Sequence, residues 1–199
     1  MNFAWLSLTA LGAIILSCSI AGALGPVIPA PEAKVFHAIN RLPDFLYWLL
    51  WLPMQLGKLV VGTAVGLLAA WMVGDLAVAV GVLIAMWLKL VVERLIRKKM
   101  AVHLQVRQRP GTSEVDAVLR GADVPRTGPS FPSGHIILVA AVSCVVLPAL
   151  PVGWWWVPVL LTLLVMLGRV YVGAHNPLDV TAGLGAGLLV GGVLSLFVR

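Results

Sequence analysis

Long apolar runs separated by short polar breaks set the pattern of this chain. Residues 2–24 carry no charge and are long enough, at about 20 residues, to cross a bilayer. A secretory leader is the rival reading, but no Lys or Arg precedes the apolar stretch, as a leader requires. Residues 25–44 are more polar, and Pro26, Pro29 and Pro31 break any helix at their start. Beyond Pro31, Val35, Phe36, Ile39 and Leu42 recur at helical spacing, with Glu32, Lys34, His37 and Arg41 elsewhere on the wheel. That pattern predicts a short interfacial amphipathic helix.

Residues 45–73 exceed one upright span and are interrupted by Pro53, Gly57 and Lys58. Tyr47, Trp48 and Trp51 are residue types that collect at the membrane interface. Residues 45–52 therefore read as interfacial or strongly tilted, and residues 56–73 as the second span. The two-residue break Gly74-Asp75 makes the third span, residues 76–96, antiparallel to the second. Residues 136–150, 154–170 and 177–198 supply the fourth, fifth and sixth. The expectation is an all-α, six-span transmembrane helical bundle with an interfacial amphipathic helix, forming one membrane-embedded domain over residues 1–199. Gly62 with Gly66, and Gly183 with Gly187 and Gly191, lie four apart and permit close helix packing.

Alternation of six spans has a consequence for chemistry. The ends of spans three and five and the starts of spans four and six fall on one side. Together with the single long polar connection, residues 98–132, they gather Arg109, Ser133, His135, Arg169, His175 and Asp179 at one membrane face.

Composition supports the membrane reading: 60% of the 199 residues are hydrophobic and 11% charged, against roughly 25% charged in soluble domains. Of the fourteen Lys and Arg residues, nine fall between Lys89 and Arg126. A basic cluster beside membrane spans suits anionic or phosphate-bearing lipids. It lacks the interleaved aromatics of a nucleic-acid surface, so no nucleic-acid partner is expected. Lys89, Glu93, Arg94 and Arg97, at the end of the third span, read as snorkelling side chains. Cys18 and Cys144 lie in apolar runs and form neither a disulfide framework nor a metal-ligand spacing.

Ionisable residues are costly among membrane spans, and a cluster of them marks a working site. Pro177 suits the first position of a helix, which places Asn176 at its N-cap and Asp179 three residues in. One reading makes Asn176 and Asp179 a capping arrangement and nothing more. The other has Asp179 accept a hydrogen bond from His175, leaving the second imidazole nitrogen free to attack a phosphorus atom. His135 follows Ser133 and Gly134 at a helix start that favours an anion, where it can protonate a leaving alkoxide. Arg109 and Arg169 offer planar forks for phosphoryl oxygens. Two histidines and a carboxylate also suit a metal, but the flanking arginines repel a cation, so no metal is expected.

These residues resemble the signatures of the type 2 phosphatidic acid phosphatase family. Pro132-Ser133-Gly134-His135 is complete, and Arg169, His175 and Asp179 stand at the family's spacing, with Gly168 where serine is usual. Of a third signature, Lys-x6-Arg-Pro, only Arg109-Pro110 is present; Val102 occupies the lysine position. Lys98, Lys99 and Arg107 are the candidates to replace it. The resemblance implies a phosphohistidine on His175, with Asp179 as its orienting partner and His135 as the acid. It further implies phosphate binding by Arg109, Arg169, Ser133 and Gly134, without metal or cofactor. The implied substrate is a phosphorylated lipid, polyprenyl or glycerolipid, hydrolysed by a multi-pass protein of the plasma membrane. The alternatives are a lipid phosphotransferase and an inactive anionic-lipid-binding protein. On sidedness two expectations compete. Bacterial members of the family often work on the outer face, whereas the basic residues beside the site obey the positive-inside rule only if it is cytoplasmic.

Overall fold

The structure, a computed structural model, describes residues 2–25, 27–103 and 107–198. Among them all regular structure is helical, apart from an isolated bridge between Gln108 and Pro129. The helices are α1 (Asn2–Gly22), α2 (Ala30–Asn40), α3 (Leu46–Gln55), α4 (Leu59–Val73), α5 (Leu76–His103), α6 (Pro110–Ser113), α7 (Gly134–Val146), α8 (Trp156–Tyr171) and α9 (Pro177–Leu194). Two short 3-10 turns, Leu147–Ala149 and Val152–Trp154, lie between α7 and α8.

Four of these helices are long and apolar enough to cross a membrane. A fifth crossing is present if α3 and α4, which meet at 70°, are counted as one bent span. The expected fourth span is the short helix α7, 13 residues long, or about 20 Å at 1.5 Å per residue. Its neighbours explain the shortness. Ile136, Ile137, Leu138, Ala140, Ala141 and Val145 are almost fully buried, because α4, α5, α8 and α9 all pack against α7. A helix enclosed by protein does not have its length set by lipid.

Close approach of α9 to α7 runs along the predicted glycine stripe. A Cβ on Gly183 would lie 2.7 Å from the Ser133 carbonyl oxygen, and one on Gly187 would lie 2.6 Å from the Ala140 Cβ. At Gly191 the Cβ would lie 2.6 Å from the Cys144 Cβ. The opposite face of α9 meets α1, where a Cβ on Gly185 would lie 2.5 Å from the Leu16 nitrogen. Gly66 of α4 likewise admits Val142 and Val82. The turn between α4 and α5 forms as expected. Gly74 takes the left-handed conformation at φ 69°, and the Asp75 carboxylate accepts a hydrogen bond from the Ala77 nitrogen at 2.8 Å.

The α2 helix departs from expectation. Its buried face is Glu32, Phe36 and Asn40, spaced by four, while Val35 is 48% exposed. A face with two polar residues is buried because both find partners. Asn40 donates to the carbonyls of Val118 and Tyr171 and accepts from the Val118 nitrogen. Glu32 pairs with Arg107 and accepts from the Leu178 nitrogen at 2.8 Å. Instead of floating at the interface, α2 clamps α8 and α9 to the segment that precedes α7. His37 pairs with Glu114 at 3.2 Å.

The connection expected over residues 98–132 is shorter and more ordered than its polarity suggests. The α5 helix continues to His103, and the remainder folds back on itself. The Ser130 nitrogen donates to the Arg107 carbonyl at 3.0 Å, and the Arg109 nitrogen donates to the Gly128 carbonyl at 3.2 Å. Arg120 holds the loop to α8, donating to the Tyr171 carbonyl and lying 4.3 Å from the centre of the Tyr171 ring. The side chain of Val102 and all of Pro26 lie outside the described residues.

Substituting Gly187 by leucine is expected to lower the melting temperature in detergent sharply, since overpacking costs about 1–3 kcal/mol or more. Gly153→Ala, where a Cβ meets nothing within 4 Å, should leave it unchanged. Equal melting of the two variants would show that the α7–α9 contact does not depend on the glycine stripe.

Candidate active site

The first turns of α7 and α9 are joined directly. The Ser133 nitrogen donates to the Asp179 carbonyl at 2.9 Å. That bond brings the two polar segments identified in the sequence, residues 132–135 and 169–179, to one end of the bundle. His135 is the second residue of α7 and packs on Gly57 at the break between α3 and α4, where a Cβ would overlap its imidazole. It stands within electrostatic reach of His175, Arg169, Lys89 and Lys58.

His175 sits in the tight connection between α8 and α9. Gly173 enters the left-handed region at φ 76°, and a Cβ there would also lie 2.7 Å from Leu119. The nitrogens of Ala174 and His175 then donate to the Arg169 carbonyl at 3.1 and 3.3 Å. Arg109 completes the clamp by donating from Nη1 to the Ala174 carbonyl at 2.9 Å. The loop that holds His175 is thus fixed by both arginines named from the sequence, one through its backbone and one through its side chain. The guanidinium of Arg169 is buried, and its Nε has no hydrogen-bond partner in the protein.

Asp179 is fully buried and heavily engaged. Its Oδ2 accepts from the Asn176 nitrogen at 2.8 Å, the capping bond anticipated from the sequence. Its Oδ1 accepts from Arg107 Nε at 3.1 Å. His175 Nδ1 lies 3.7 Å from Oδ2, an ion-pair distance too long for a hydrogen bond, and Nδ1 has no partner. Asp179 therefore caps α9 and pairs with Arg107, with His175 just outside hydrogen-bond reach.

Arg107 was named only as a substitute for the missing lysine. The structure places it, 2% exposed, between Glu32 and Asp179. It is a structural partner of the carboxylates, although its Nη1 is left without a partner. Lys98 lines a cavity along α5, and Lys99 forms no ion pair among the described residues. Glu32, Asn40 and Arg120 support the site and were missed by sequence reasoning. From the sequence Glu32 falls off the apolar side of the α2 wheel, and the signal that could have found it is its spacing of four from Phe36 and eight from Asn40.

Burial pushes His175 down to about 4, against a lesser upward pull from Asp179. The imidazole is therefore neutral at ordinary pH, the form that carries a free lone pair. Burial, followed by the nearby Arg97, lowers Arg109 from its ordinary value. Among the described residues no group of three or more His, Cys, Asp or Glu side chains is arranged to hold a metal ion.

Residues 74–199, well over half of the chain, match the sequence model of the PAP2 superfamily. The chain belongs to this superfamily. The matched region of this PAP2 chain holds every site residue named from the sequence. An undecaprenyl-diphosphatase of Sulfolobus acidocaldarius is 43% identical over 54 residues, which are 27% of this chain and 26% of that protein. The PAP2 chain thus spans about a quarter of that curated relative's length. In fold it is similar to the crystal structure of LpxE from Aquifex aeolicus, with a TM-score of 0.72 and 22% identity, over 85% of this chain and 98% of that one. It is equally similar to a transmembrane PAP2-type phosphatidylglycerolphosphate phosphatase from Bacillus subtilis, at TM-score 0.72 and 17% identity, over 97% and 94% of the two chains.

Gly168, where the superfamily resemblance led to an expectation of serine, has a packing reason. A Cβ there would lie 2.6 Å from the Met54 Cγ and 2.8 Å from its sulfur. Gly168→Ser is expected to destabilise the PAP2 chain by about 1–3 kcal/mol. Adding Met54→Ala should recover much of the loss, as read from unfolding in detergent. No recovery in the double variant would show that Met54 is not what excludes a side chain at position 168.

Proposed function

We propose that this protein is a membrane lipid phosphatase that hydrolyses a phosphomonoester or pyrophosphate of a polyprenyl lipid or glycerolipid through a phosphohistidine. The observation that carries the reading is the joining of α7 and α9 by the Ser133–Asp179 backbone bond. It sets His135 and His175 at one end of the bundle, beside Arg109 and Arg169. Membership of the PAP2 superfamily and the diphosphatase named among its relatives support it. In this reading α7 is a sixth crossing, shielded from lipid by its neighbours, and the protein resides in the plasma membrane.

His175 attacks through Nε2, since Nδ1 faces Asp179. A bond forms from Nε2 to phosphorus while the bond from phosphorus to the leaving oxygen breaks. His135 gives a proton to that oxygen. Water then attacks the phosphohistidine, its proton passes to His135, and inorganic phosphate leaves. Arg109 and Arg169, with Ser133 and the backbone at Gly134, hold the phosphoryl oxygens. Asp179 acts electrostatically, favouring the positive charge that His175 acquires on attack. No step calls for a metal ion.

Phosphate release from a panel of lipid phosphates in detergent tests the proposal. His175→Ala should abolish turnover, a loss of about 10⁴-fold or more for a nucleophile, and chelator should leave the wild type unchanged. Full activity of His175→Ala would remove the assigned nucleophile, and abolition by chelator would remove the metal-free mechanism.

The pH dependence has a defined direction. His175 titrates below its unfolded value of about 6.5, so the stability tied to its neutral form is complete above that pH. It is lost as pH falls toward about 4. The acid limb of kcat/KM attributable to the nucleophile is expected near pH 4. A limb from this residue at pH 6.5, assigned by imidazole titration, would contradict its burial.

A further inference from the structure

On α5, Lys89, Glu93 and Arg97 are spaced by four and share one face. The Glu93 carboxylate bridges the other two, with Lys89 Nζ and Arg97 Nη2 each at 2.7 Å. Exposed ladders of this kind are common and contribute little. This one is largely turned inward: the Lys89 and Glu93 side chains are only 14% and 15% exposed, and that of Arg97 33%. The decisive contact is with the first residue of α7. A Cβ on Gly134 would fall on the Glu93 carboxylate.

A carboxylate thus rests against the N-terminus of a buried helix, the place where unpaired backbone N–H groups favour an anion. Around it stand polar groups without partners. Ser133 is fully buried and its hydroxyl makes no hydrogen bond. Arg107, 2% exposed, leaves Nη1 unpaired, and Arg97 leaves Nε unpaired. A cavity of about 960 Å³ lies alongside, lined by Lys89, Glu93, Arg97 and Arg107 with Trp87 and Phe131 on its apolar side. One carboxylate carries a single charge and two oxygens, too few for so many donors. A phosphate group carries up to two charges and three terminal oxygens.

We propose that Glu93 is a resident counter-anion in the phosphoryl site, and that a phosphate group displaces its carboxylate from Gly134 and takes Arg97 and Lys89 as additional ligands. This rests on the phosphatase reading above and adds two cations and a competitor to it. Arg97 also acts on Arg109, so an anion between the two guanidinium groups relieves their repulsion. The exchange is one of binding alone: the Glu93 carboxylate leaves the α7 N-terminus as the phosphate arrives and returns when product leaves.

The test uses the full chain in detergent, with inorganic phosphate and a short-chain lipid phosphate as separate probes. Arg97→Ala is expected to lower kcat/KM and weaken inhibition by inorganic phosphate, each by roughly tenfold or more, the usual worth of a charged hydrogen bond. Arg97→Lys should restore part of both. Glu93→Gln removes the competing charge and is expected to strengthen inhibition by inorganic phosphate. Glu93→Gln protein that melts like wild type but shows unchanged or weaker phosphate inhibition overturns the proposal. The same holds if Arg97→Ala leaves the inhibition constant unchanged. An effect on the lipid probe without one on inorganic phosphate would assign Arg97 to the lipid and overturn the phosphoryl assignment. A wild type that turns over no lipid defeats the phosphatase reading instead. Phosphate-dependent shifts in melting temperature then read the site directly, and their absence in wild type overturns it.

Discussion

Everything at the polar end of this bundle depends on how closely α9 can lie against α7. The contact is backbone to side chain and backbone to backbone, as the Gly183, Gly187 and Gly191 distances show. Helices that carried ordinary side chains along this seam would stand some ångströms farther apart. The Ser133 nitrogen would then miss the Asp179 carbonyl, and the two histidines would part with it. Small residues serve here as a distance constraint on chemistry, beyond the van der Waals packing they permit in a membrane.

A second constraint is the buried charge around Asp179. Arg107, Glu32 and Asp179 are all nearly or fully inaccessible, and buried ions are tolerated only when paired. Arg107 comes from the segment after α5, Glu32 from α2 and Asp179 from α9, so three distant parts of the chain must arrive together. The same segment carries Arg109 two residues later, whose guanidinium holds the carbonyl of Ala174. One segment therefore both completes the charged cluster and holds the loop that carries His175. Neither Arg107 nor Glu32 has to touch a phosphate for its loss to disturb the site.

Much of this was legible in the sequence because apolar length and glycine spacing are local signals. The breaks at Gly57 and Gly74, the α9 stripe and the capping bond of Asp179 each follow from a few neighbouring residues. The convergence of His135, His175, Arg109 and Arg169 followed from alternating the spans. What escaped was pairing between residues far apart in sequence. Glu32 reads as a polar-face residue until Arg107 is placed beside it, and Arg107 reads as a free cation until its carboxylates are seen. Lys89, Glu93 and Arg97 were assigned to the interface because a helix end explains charge cheaply. Only the proximity of Gly134 shows that their face turns inward. The six-span count treats every apolar run as a crossing. Among the described residues four helices, or five with the bent pair, are long and apolar enough, and α7 is shorter.

The brevity of α7 changes what the surrounding lipid experiences. At about 20 Å it falls some 10 Å short of a typical hydrocarbon thickness, and the deficit has to be made up at one or both of its ends. His135 occupies one of those ends. The longer helices around α7, with exposed apolar side chains such as Leu83 on α5, are long enough to cross at full depth. On the proposed phosphatase reading, a lipid that presents its phosphate at the His135 end keeps its hydrocarbon tail in the bilayer throughout. In that proposed reaction the dephosphorylated lipid is then already where its solubility places it, and only the inorganic phosphate has to cross into water.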